Sequence, residues 1–144
     1  MSATAPRAPG ILRRLACAVY ESLLLAAVVL IATFPFLAFL GDATHGWRRN
    51  VLQLWVIAVA GAYLVGFWSR GGQTLAMKTW RIRLVRDDGG AVGPGLATHR
   101  YLLALLGLAA AGLGFAWALV DRERQFLHDR LAGTRLVSAD PAGP

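Results

Sequence analysis

The sequence predicts an all-α membrane protein with three apolar transmembrane segments and a small amphipathic or β element in the loop over residues 70–100. Of the 144 residues, 56% are hydrophobic and 16% are charged, and the mean hydropathy is +0.50, which is too apolar for an ordinary soluble domain. Three stretches of 18 to 20 residues carry no charged side chain: Ser22–Leu40, Val51–Trp68 and Tyr101–Val120. A helix needs roughly 20 apolar residues to cross a bilayer. The segments therefore cover about residues 18–40, 51–68 and 101–120.

These segments belong to a single domain over residues 13–137, with a disordered tail on each side. Residues 1–10 and 138–144 are rich in alanine, proline and glycine, a composition that is typical of disorder. The first segment differs from a cleaved signal peptide in three ways. Its apolar core is long, no small-residue cleavage site follows it closely, and two more apolar segments come later.

The net charge of +7 indicates that the basic residues meet a membrane surface rather than a nucleic acid. Nucleic-acid-binding proteins gather lysine and arginine on a soluble face, whereas here these residues flank the apolar segments. The lipid bilayer, with its anionic head groups, is the predicted partner. The single cysteine, Cys17, excludes an internal disulfide and a cysteine metal site, and no cofactor motif occurs.

The distribution of arginine and lysine predicts the orientation in the membrane, because these residues favour the cytoplasmic side. The N-terminal part carries three of them, the 41–50 loop two, the 70–100 loop six and the C-terminal part four. The N-terminus and the 70–100 loop are therefore expected in the cytoplasm, with the 41–50 loop outside. The prediction is a multi-pass plasma-membrane protein with a cytoplasmic N-terminus.

The third segment leaves two topologies open. One uninterrupted helix over Tyr101–Val120 is the simpler interpretation, and it places the four C-terminal arginines outside. A re-entrant hairpin, broken at Gly107, Gly112 or Gly114, keeps thirteen basic residues in the cytoplasm against two outside. The charge distribution favours the hairpin, and the unbroken apolar run favours the helix.

The 70–100 loop is predicted to begin with a short interfacial helix over residues 71–80. Three apolar side chains of this helix are expected near lipid and one lysine among the head groups: Leu75, Met77, Trp80 and Lys78. An element of this kind lies along the membrane surface and does not cross it.

Short strands are predicted on both sides of the third segment. Apolar and basic residues alternate over Trp80–Leu84, which is typical of a half-buried strand. Asp88–Gly89 predicts a turn, Ala91–Val92 a short returning strand, and Thr134–Val137 a further strand. If the first and last of these strands pair, both lie on one side of the membrane, which favours the hairpin.

Glu21 is an acid near the start of the first membrane helix. Arg14 precedes it by seven residues, close to two full turns, so both side chains face the same side roughly 10 Å apart along the axis. Three interpretations of the carboxylate stay open. It neutralises an arginine at head-group level, forms a structural ion pair inside the protein, or binds a transported proton, cation or polar substrate.

No arrangement of residues predicts an enzyme. His128 and Asp129 are adjacent, so on a helix their side chains point about 100° apart and do not form a dyad with each other. No serine lies in a nucleophile motif, and the three histidines lack metal-ligand spacing. Asp129 is interpreted as a helix cap or as the partner of a cytoplasmic arginine. We expect no catalytic, cofactor-binding or metal-binding residues.

Three blocks of the chain resemble the RDD family of small bacterial membrane proteins. The first is RLACAVYE, in which Arg14 is followed by Glu21 where the family usually has aspartate. The second is GGQTLAMKTWRIRLVRDDGG, in which Ala76 replaces the usual glycine, and the third is RQFLHDRLAGTRLV. Together the blocks cover about residues 13–137. The residues that match the two later motifs are Gly72, Gln73, Thr74, Met77, Lys78, His128, Asp129, Gly133 and Thr134.

The resemblance implies a transporter or transporter subunit, with cation/proton exchange proposed for some members of the family. Arg14, Glu21 and Asp129 form the candidate ion, substrate or structural charge cluster, which the hairpin topology would bring together at the cytoplasmic face. Three crossings do not enclose a pathway, so transport requires a homo-oligomer or a membrane partner. The alternative is a non-transporting module that binds a partner protein or an anionic lipid through arginines of the 70–100 loop: Arg81, Arg83 and Arg86.

Overall fold

The computed structural model describes residues 8–139; the predicted tails fall largely on residues 1–7 and 140–144, which lie outside the described residues. Between residues 8 and 139 the chain is mostly helical. The elements are α1 (Ile11–Leu40), α2 (Gly46–Gly71), α3 (Leu75–Thr79), β1 (Ile82–Arg86), α4 (Pro94–Ala109), α5 (Leu113–Ala116), α6 (Leu127–Ala132) and β2 (Thr134–Ser138). A short 3-10 turn, Trp117–Leu119, follows α5. The predicted class, apolar helices with a small β element, is confirmed.

Helices α1 and α2 are each long and apolar enough to cross a membrane. They contain 30 and 26 residues. At 1.5 Å per residue their lengths are about 45 and 39 Å, which exceeds the roughly 30 Å of bilayer hydrocarbon. Helix α1 therefore continues back beyond its apolar run to Gly10, and α2 ends only at Gly72, whose φ of 68° supplies a left-handed cap.

The third apolar segment is not one helix. Helix α4 and the short helical piece Leu113–Leu119 are bent by 104° at the break between them. Ala111 and Gly112 take φ values of 56° and 77° there, which no continuing α-helix allows. A Cβ built on Gly114 would lie 3.0 Å from the Gly107 Cα atom, so the two arms meet backbone to backbone. The uninterrupted helix was the wrong interpretation, and the alternative with a break among these glycines describes the structure.

The two strands form a small antiparallel sheet that joins the chain before and after the third segment. Ile82 pairs with Ser138 and Arg86 with Thr134. Strand β1 starts two residues later than predicted, because Arg81 has a left-handed φ of 50° and is not extended. The predicted returning strand at Ala91–Val92 is absent from the described sheet, and the C-terminal strand takes its place.

The strand pairing brings both ends of the third segment to one end of the helices. We call this the basic end, and it comprises residues 10–21, 66–100 and 121–139. Helix α1 begins there, α2 ends there, and α4 begins there in contact with α6. A chain that leaves the basic end after Arg100 and is back by Asp121 forms a re-entrant segment relative to α1 and α2.

The protein core lies at the basic end, while the middle of each long helix is exposed. Ile82 and Leu84 of β1 are fully buried. In contrast, Leu30, Phe34 and Phe39 of α1 are 74%, 76% and 89% exposed. Such exposed apolar surface is costly in water and stable in lipid. Helices α1 and α2 therefore have the surface of membrane spans, and the basic end has that of a small folded domain.

Helix α3 forms where an interfacial helix was predicted, but it presents a different face to its surroundings. Met77, expected near lipid, is only 5% exposed and packs in the core. Leu75 and Trp80 remain exposed, as expected. The helix has only five residues, and its contacts with α1 and β1 determine which side is buried.

The re-entrant topology predicts the same sidedness for the two ends of the third segment. In a Cys17→Ala background, single cysteines at Asp88 and Glu123 should both resist a membrane-impermeant maleimide in intact bacterial cells. A cysteine at Thr44, in the loop between α1 and α2, should be labelled, because it lies at the other end of the helices.

All three variants should be labelled after lysis, which controls for access. Labelling of Glu123→Cys together with Thr44→Cys in intact cells, while Asp88→Cys stays protected, would mean that the third segment crosses fully and would contradict this topology.

Candidate functional site

Two polar clusters are buried at the basic end. The Asp129 cluster consists of Asp129, Arg100, Thr134, His128 and Trp68, and the second cluster is described below. Asp129 is 1% exposed and Arg100 is 5% exposed. A charged group out of water is strongly unfavourable unless it is paired, so each of these side chains requires a partner nearby.

Arg100 and Asp129 form a tight buried ion pair. The Arg100 Nη2 and Nε atoms both lie 2.6 Å from Asp129 Oδ1. The Thr134 hydroxyl donates to the Asp129 backbone carbonyl at 3.3 Å and lies 3.5 Å from Oδ1. Asp129 was predicted to be a helix cap or the partner of a cytoplasmic arginine. The structure gives it an arginine partner, which lies on α4.

Trp68 covers the other side of the Arg100 guanidinium. The guanidinium carbon lies 4.1 Å from the centre of the indole ring, a favourable cation–π geometry. Trp68 is on the last turns of α2, Arg100 on the second turn of α4, and Asp129 in the first turn of α6. Three helices thus meet at one charge.

Arg100 is a key residue that the sequence reasoning missed. The charge pattern counted it only as one cation of the 70–100 loop. Its position offered a signal, because it is the last charged residue before twenty uncharged ones, and a cation at the start of an apolar helix requires a partner.

His128 lies beside the ion pair but does not join it. Its Nε2 atom is 3.9 Å from Asp129 Oδ1, too far for a hydrogen bond, and its Nδ1 atom is buried without a partner in the described chain. The imidazole stacks on Phe126, with ring centres 5.5 Å apart, and contacts Phe115 edge to face. The pKa of His128 is lowered from 6.5 to about 4. Burial is the largest cause and the nearby Arg100 charge the second, whereas Asp129 raises the pKa by a smaller amount. His128 is therefore a neutral, packed side chain at neutral pH.

Arg13 and Arg14 attach the start of α1 to the rest of the basic end. The Arg14 guanidinium donates to the Arg124 carbonyl, and its charge is attracted by Asp129 and Asp121. Arg13 donates to the carbonyls of Trp80, at 2.6 Å, and Arg81, at 3.0 Å. Both arginines thus hydrogen-bond carbonyl groups of irregular backbone outside α1.

The second cluster, the Glu21 cluster, consists of Glu21, Thr74 and Tyr63. The Thr74 hydroxyl donates to Glu21 Oε2 and at the same time accepts the Met77 backbone N–H at 3.2 Å, so it caps α3. The Tyr63 hydroxyl lies near the same carboxylate. Glu21 Oε1 and the Tyr63 oxygen are both buried without hydrogen-bond geometry to any described residue. One carboxylate oxygen is therefore satisfied, and the other is not.

The predicted three-residue charge cluster is divided between these two sites. Arg14 and Asp129 lie at the same end and attract each other, as the hairpin topology implied. Glu21 makes no ion pair with Arg14 in residues 8–139, and its hydrogen-bond partner is Thr74. Arg14, Glu21 and Asp129 therefore do not form one shared site.

The comparison with protein families covers the residues of both clusters except Thr134. The family model described as RDD family matches residues 8–133, most of the chain. The chain belongs to the RDD family. Comparison with curated proteins and with solved structures finds no match.

The glycines and threonines of the two later motifs have conformational roles in this RDD protein. Gly72 and Gly133 end α2 and α6 with φ values of 68° and 65°. A Cβ on Gly72 would collide with the Leu84 carbonyl, because β1 runs against this cap with its Leu84 N–H 2.7 Å from the Gly72 carbonyl. Thr74 and Thr134 are fully buried and each hydrogen-bonds an acidic residue. Residues of the motifs thus take part in both clusters.

Other motif residues of the RDD protein support β1 or face outward. The Gln73 side-chain amide donates to the Ile82 carbonyl at 2.8 Å. Ala76, which replaces the usual glycine, is fully buried in the core, so its methyl group is accommodated. Lys78 is exposed. Within residues 8–139 no group of three or more His, Cys, Asp or Glu side chains is arranged to hold a metal ion.

Removing one partner of the Arg100–Asp129 pair should destabilise the protein strongly. Asp129→Asn leaves the Arg100 charge buried and uncompensated, which should lower the free energy of unfolding by about 3–5 kcal/mol. The double variant Arg100→Met/Asp129→Leu should lose less than Asp129→Asn, because no charge stays buried. Denaturant unfolding in detergent micelles measures both.

The matched control is Asp88→Asn in the exposed Arg86–Asp88 pair, whose side chains are 52% and 58% exposed. It should cost less than about 1 kcal/mol. Equal losses from Asp129→Asn and Asp88→Asn would contradict the role assigned to the buried pair.

Stability should fall on the acid side of neutrality because of His128. Its folded-state pKa of about 4 lies below the ordinary 6.5, so between these values the unfolded chain binds more protons than the folded one. The contribution is complete above pH 6.5 and is lost as the pH falls towards 4, up to about 3 kcal/mol. Thermal unfolding in detergent at pH 7.5 and 5.0 tests this.

His128→Gln should flatten the pH dependence over this range, whereas His99→Gln, at an exposed position, should leave it unchanged. The assignment fails if both variants keep the slope of the parent protein.

Proposed function

We propose that this RDD protein is a subunit of a membrane transporter in which Glu21 binds the exchanged proton or cation. The observation that supports this is the Glu21 carboxylate, which has one oxygen bonded to Thr74 and the other buried beside the Tyr63 hydroxyl without hydrogen-bond geometry to it. Buried polar atoms are nearly always satisfied, so an orphaned carboxylate oxygen is suited to a proton or a small cation. The role is non-enzymatic, since the site binds its ligand and does not transform it.

The depth of Glu21 fits such a role. Ser22–Leu40 of α1 spans about 28 Å at 1.5 Å per residue, close to the thickness of the hydrocarbon layer. Glu21 then lies at the hydrocarbon boundary of the basic end. The positive-inside rule supports a cytoplasmic basic end in a bacterial plasma membrane. A carboxylate at this depth exchanges protons with the cytoplasm and has low-dielectric surroundings on its other side.

The ligands around Glu21 suit light, hard ions. Thr74 and Tyr63 supply two hydroxyl oxygens beside the carboxylate. Oxygen ligands of this type bind protons and hard metal cations rather than soft metals. The positive charge of Arg100 also acts on the Glu21 carboxylate, although the paired Asp129 offsets part of that charge. The ionised form of Glu21 therefore has more than apolar groups around it.

Transport by this chain requires more than one copy or a membrane partner. Two spanning helices and a re-entrant segment do not enclose a pathway. Both long helices expose apolar side chains along their middle, including Leu30, Phe34 and Leu54. We therefore propose that copies of this chain assemble into a homo-oligomer. In this assembly the Glu21 side chain of each copy is reached from a shared pathway.

Ion flux in proteoliposomes tests the proposal. The purified protein should exchange protons for Na⁺ or K⁺, read with an internal pH-sensitive dye. Glu21→Gln should reduce the flux at least tenfold, because the amide neither binds a proton nor carries a charge. Glu21→Asp introduces the residue that is usual in the family. It keeps a carboxylate at this position and should keep measurable flux.

The matched control is Glu123→Gln, an exposed acid at the same end of the protein, which should leave the flux unchanged. All variants should have the thermal stability of the parent, so that a folding defect is not read as lost transport. Full flux in Glu21→Gln would overturn the assignment of Glu21, and the absence of any flux in the parent protein would overturn the transport function.

A further inference from the structure

A pocket of about 380 Å³ lies at the basic end, between the last turns of α2, the short helix α3 and strand β1. Three cationic side chains line it: Arg70, Lys78 and Arg83. Its volume is within the range of small-molecule sites, roughly 300–1,000 Å³. It shares Tyr63 with the Glu21 cluster and is otherwise separate from both clusters.

Within residues 8–139, the three cations of the pocket have no counter-charge. None of them forms an ion pair or a side-chain hydrogen bond with another residue in 8–139, and no acidic side chain lines the pocket. Neighbouring arginines differ, since Arg86 pairs with Asp88 and Arg100 with Asp129. Three convergent positive charges create a local potential that attracts anions.

The pocket is polar at one end and apolar at the other. Arg70 lies at the end of α2, next to Lys78 of α3 and Arg83 of β1. Phe67, Gly66 and Ala62 continue the wall back along α2 towards the middle of the candidate span. Phe67 packs against Tyr63 with ring centres 5.0 Å apart, which gives this wall a fixed aromatic surface. The order along the helix, charge first and apolar surface next, is that of a phospholipid in a bilayer.

We propose that this pocket binds the phosphate group of an anionic phospholipid, with an acyl chain lying along α2. The guanidinium groups of Arg70 and Arg83 suit bidentate hydrogen bonding to phosphate oxygens, and Lys78 adds a point charge. Basic pockets between helices at the cytoplasmic membrane surface bind lipid head groups by this chemistry.

A lipid suits the pocket better than a free phosphate ion. An inorganic ion would cover the cations but leave the wall at Phe67 and Gly66 bare. A lipid covers both parts. Since α2 is long and apolar enough to cross the membrane, its end also lies at the depth of the phosphate groups.

The structure also narrows the set of arginines that was assigned to lipid from the sequence. Arg83 lines the pocket, whereas Arg81 and Arg86 do not, and Arg86 is paired with Asp88. Arg70 and Lys78, which lie outside that set, complete the pocket. The site is thus a defined arrangement of three cations and not a general basic loop.

Energy transfer from the tryptophans of the protein to pyrene-labelled phosphatidylglycerol in mixed micelles measures the binding. Arg70→Gln/Arg83→Gln should weaken it at least tenfold. The matched control Arg86→Gln/Arg122→Gln removes two exposed arginines from the same end, outside the pocket, and should change it less than twofold. Equal weakening in both double variants, or none in the pocket variant, would overturn the site.

Two further arms identify the occupant. Unlabelled phosphatidylcholine should not compete, and 10 mM inorganic phosphate should not displace the phosphatidylglycerol. Displacement by inorganic phosphate would mean that the pocket holds a free anion and would overturn the lipid assignment. If the double variant does not fold, Lys78→Gln, at an exposed position, should still weaken binding several-fold, and unchanged binding would overturn the site.

Glu21→Gln should keep full lipid binding, because its carboxylate does not line the pocket. The lipid site and the transport site therefore succeed or fail independently.

Discussion

The ion pair between Arg100 and Asp129 holds together the two ends of the re-entrant segment. Arg100 lies at the start of that segment on α4, and Asp129 lies after it on α6, with both side chains almost fully buried. An isolated buried charge costs several kcal/mol, so neither residue is stable in place without the other. The contact of Trp68 with Arg100 extends the same constraint to α2. The paired strands and the Arg14 contact with the Arg124 carbonyl then connect chain segments that this pair has already brought together.

The molecule has two regions that are suited to different surroundings, lipid for one and water for the other. Along the middle of α1 and α2 the apolar side chains are exposed, and lipid is the environment that makes this surface stable. At the basic end a compact core is closed by buried hydrogen bonds, as in a small soluble domain. Glu21 lies at the boundary and is the point where α1 passes from one environment to the other. Its bond to Thr74 also connects the membrane helix to the cap of α3.

Much of this arrangement was accessible from the sequence, and the failures have physical causes. The spans α1 and α2 follow from uncharged runs whose length matches a bilayer. Strands were predicted at residues 80–84 and 134–137, but their pairing was only a condition in that prediction and is shown by the structure. The bend in the third segment was left open, because glycine is common in membrane helices and only the left-handed φ values of Ala111 and Gly112 distinguish a break. The partner of Asp129 was missed because charge counting treats Arg100 like any other loop cation. Met77 was assigned to lipid because a five-residue helix is too short for periodicity to define its buried face.

The order of elements along the chain has a consequence for how the protein is made. Helix α4 and its arginine are synthesised before Asp129, α6 and β2. While the ribosome is still adding these residues, Arg100 has no counter-charge and β1 has an unpaired edge. The third segment therefore reaches its final position only after α6 and β2 have been synthesised, and residues 127–138 act as a latch that closes it from its C-terminal side.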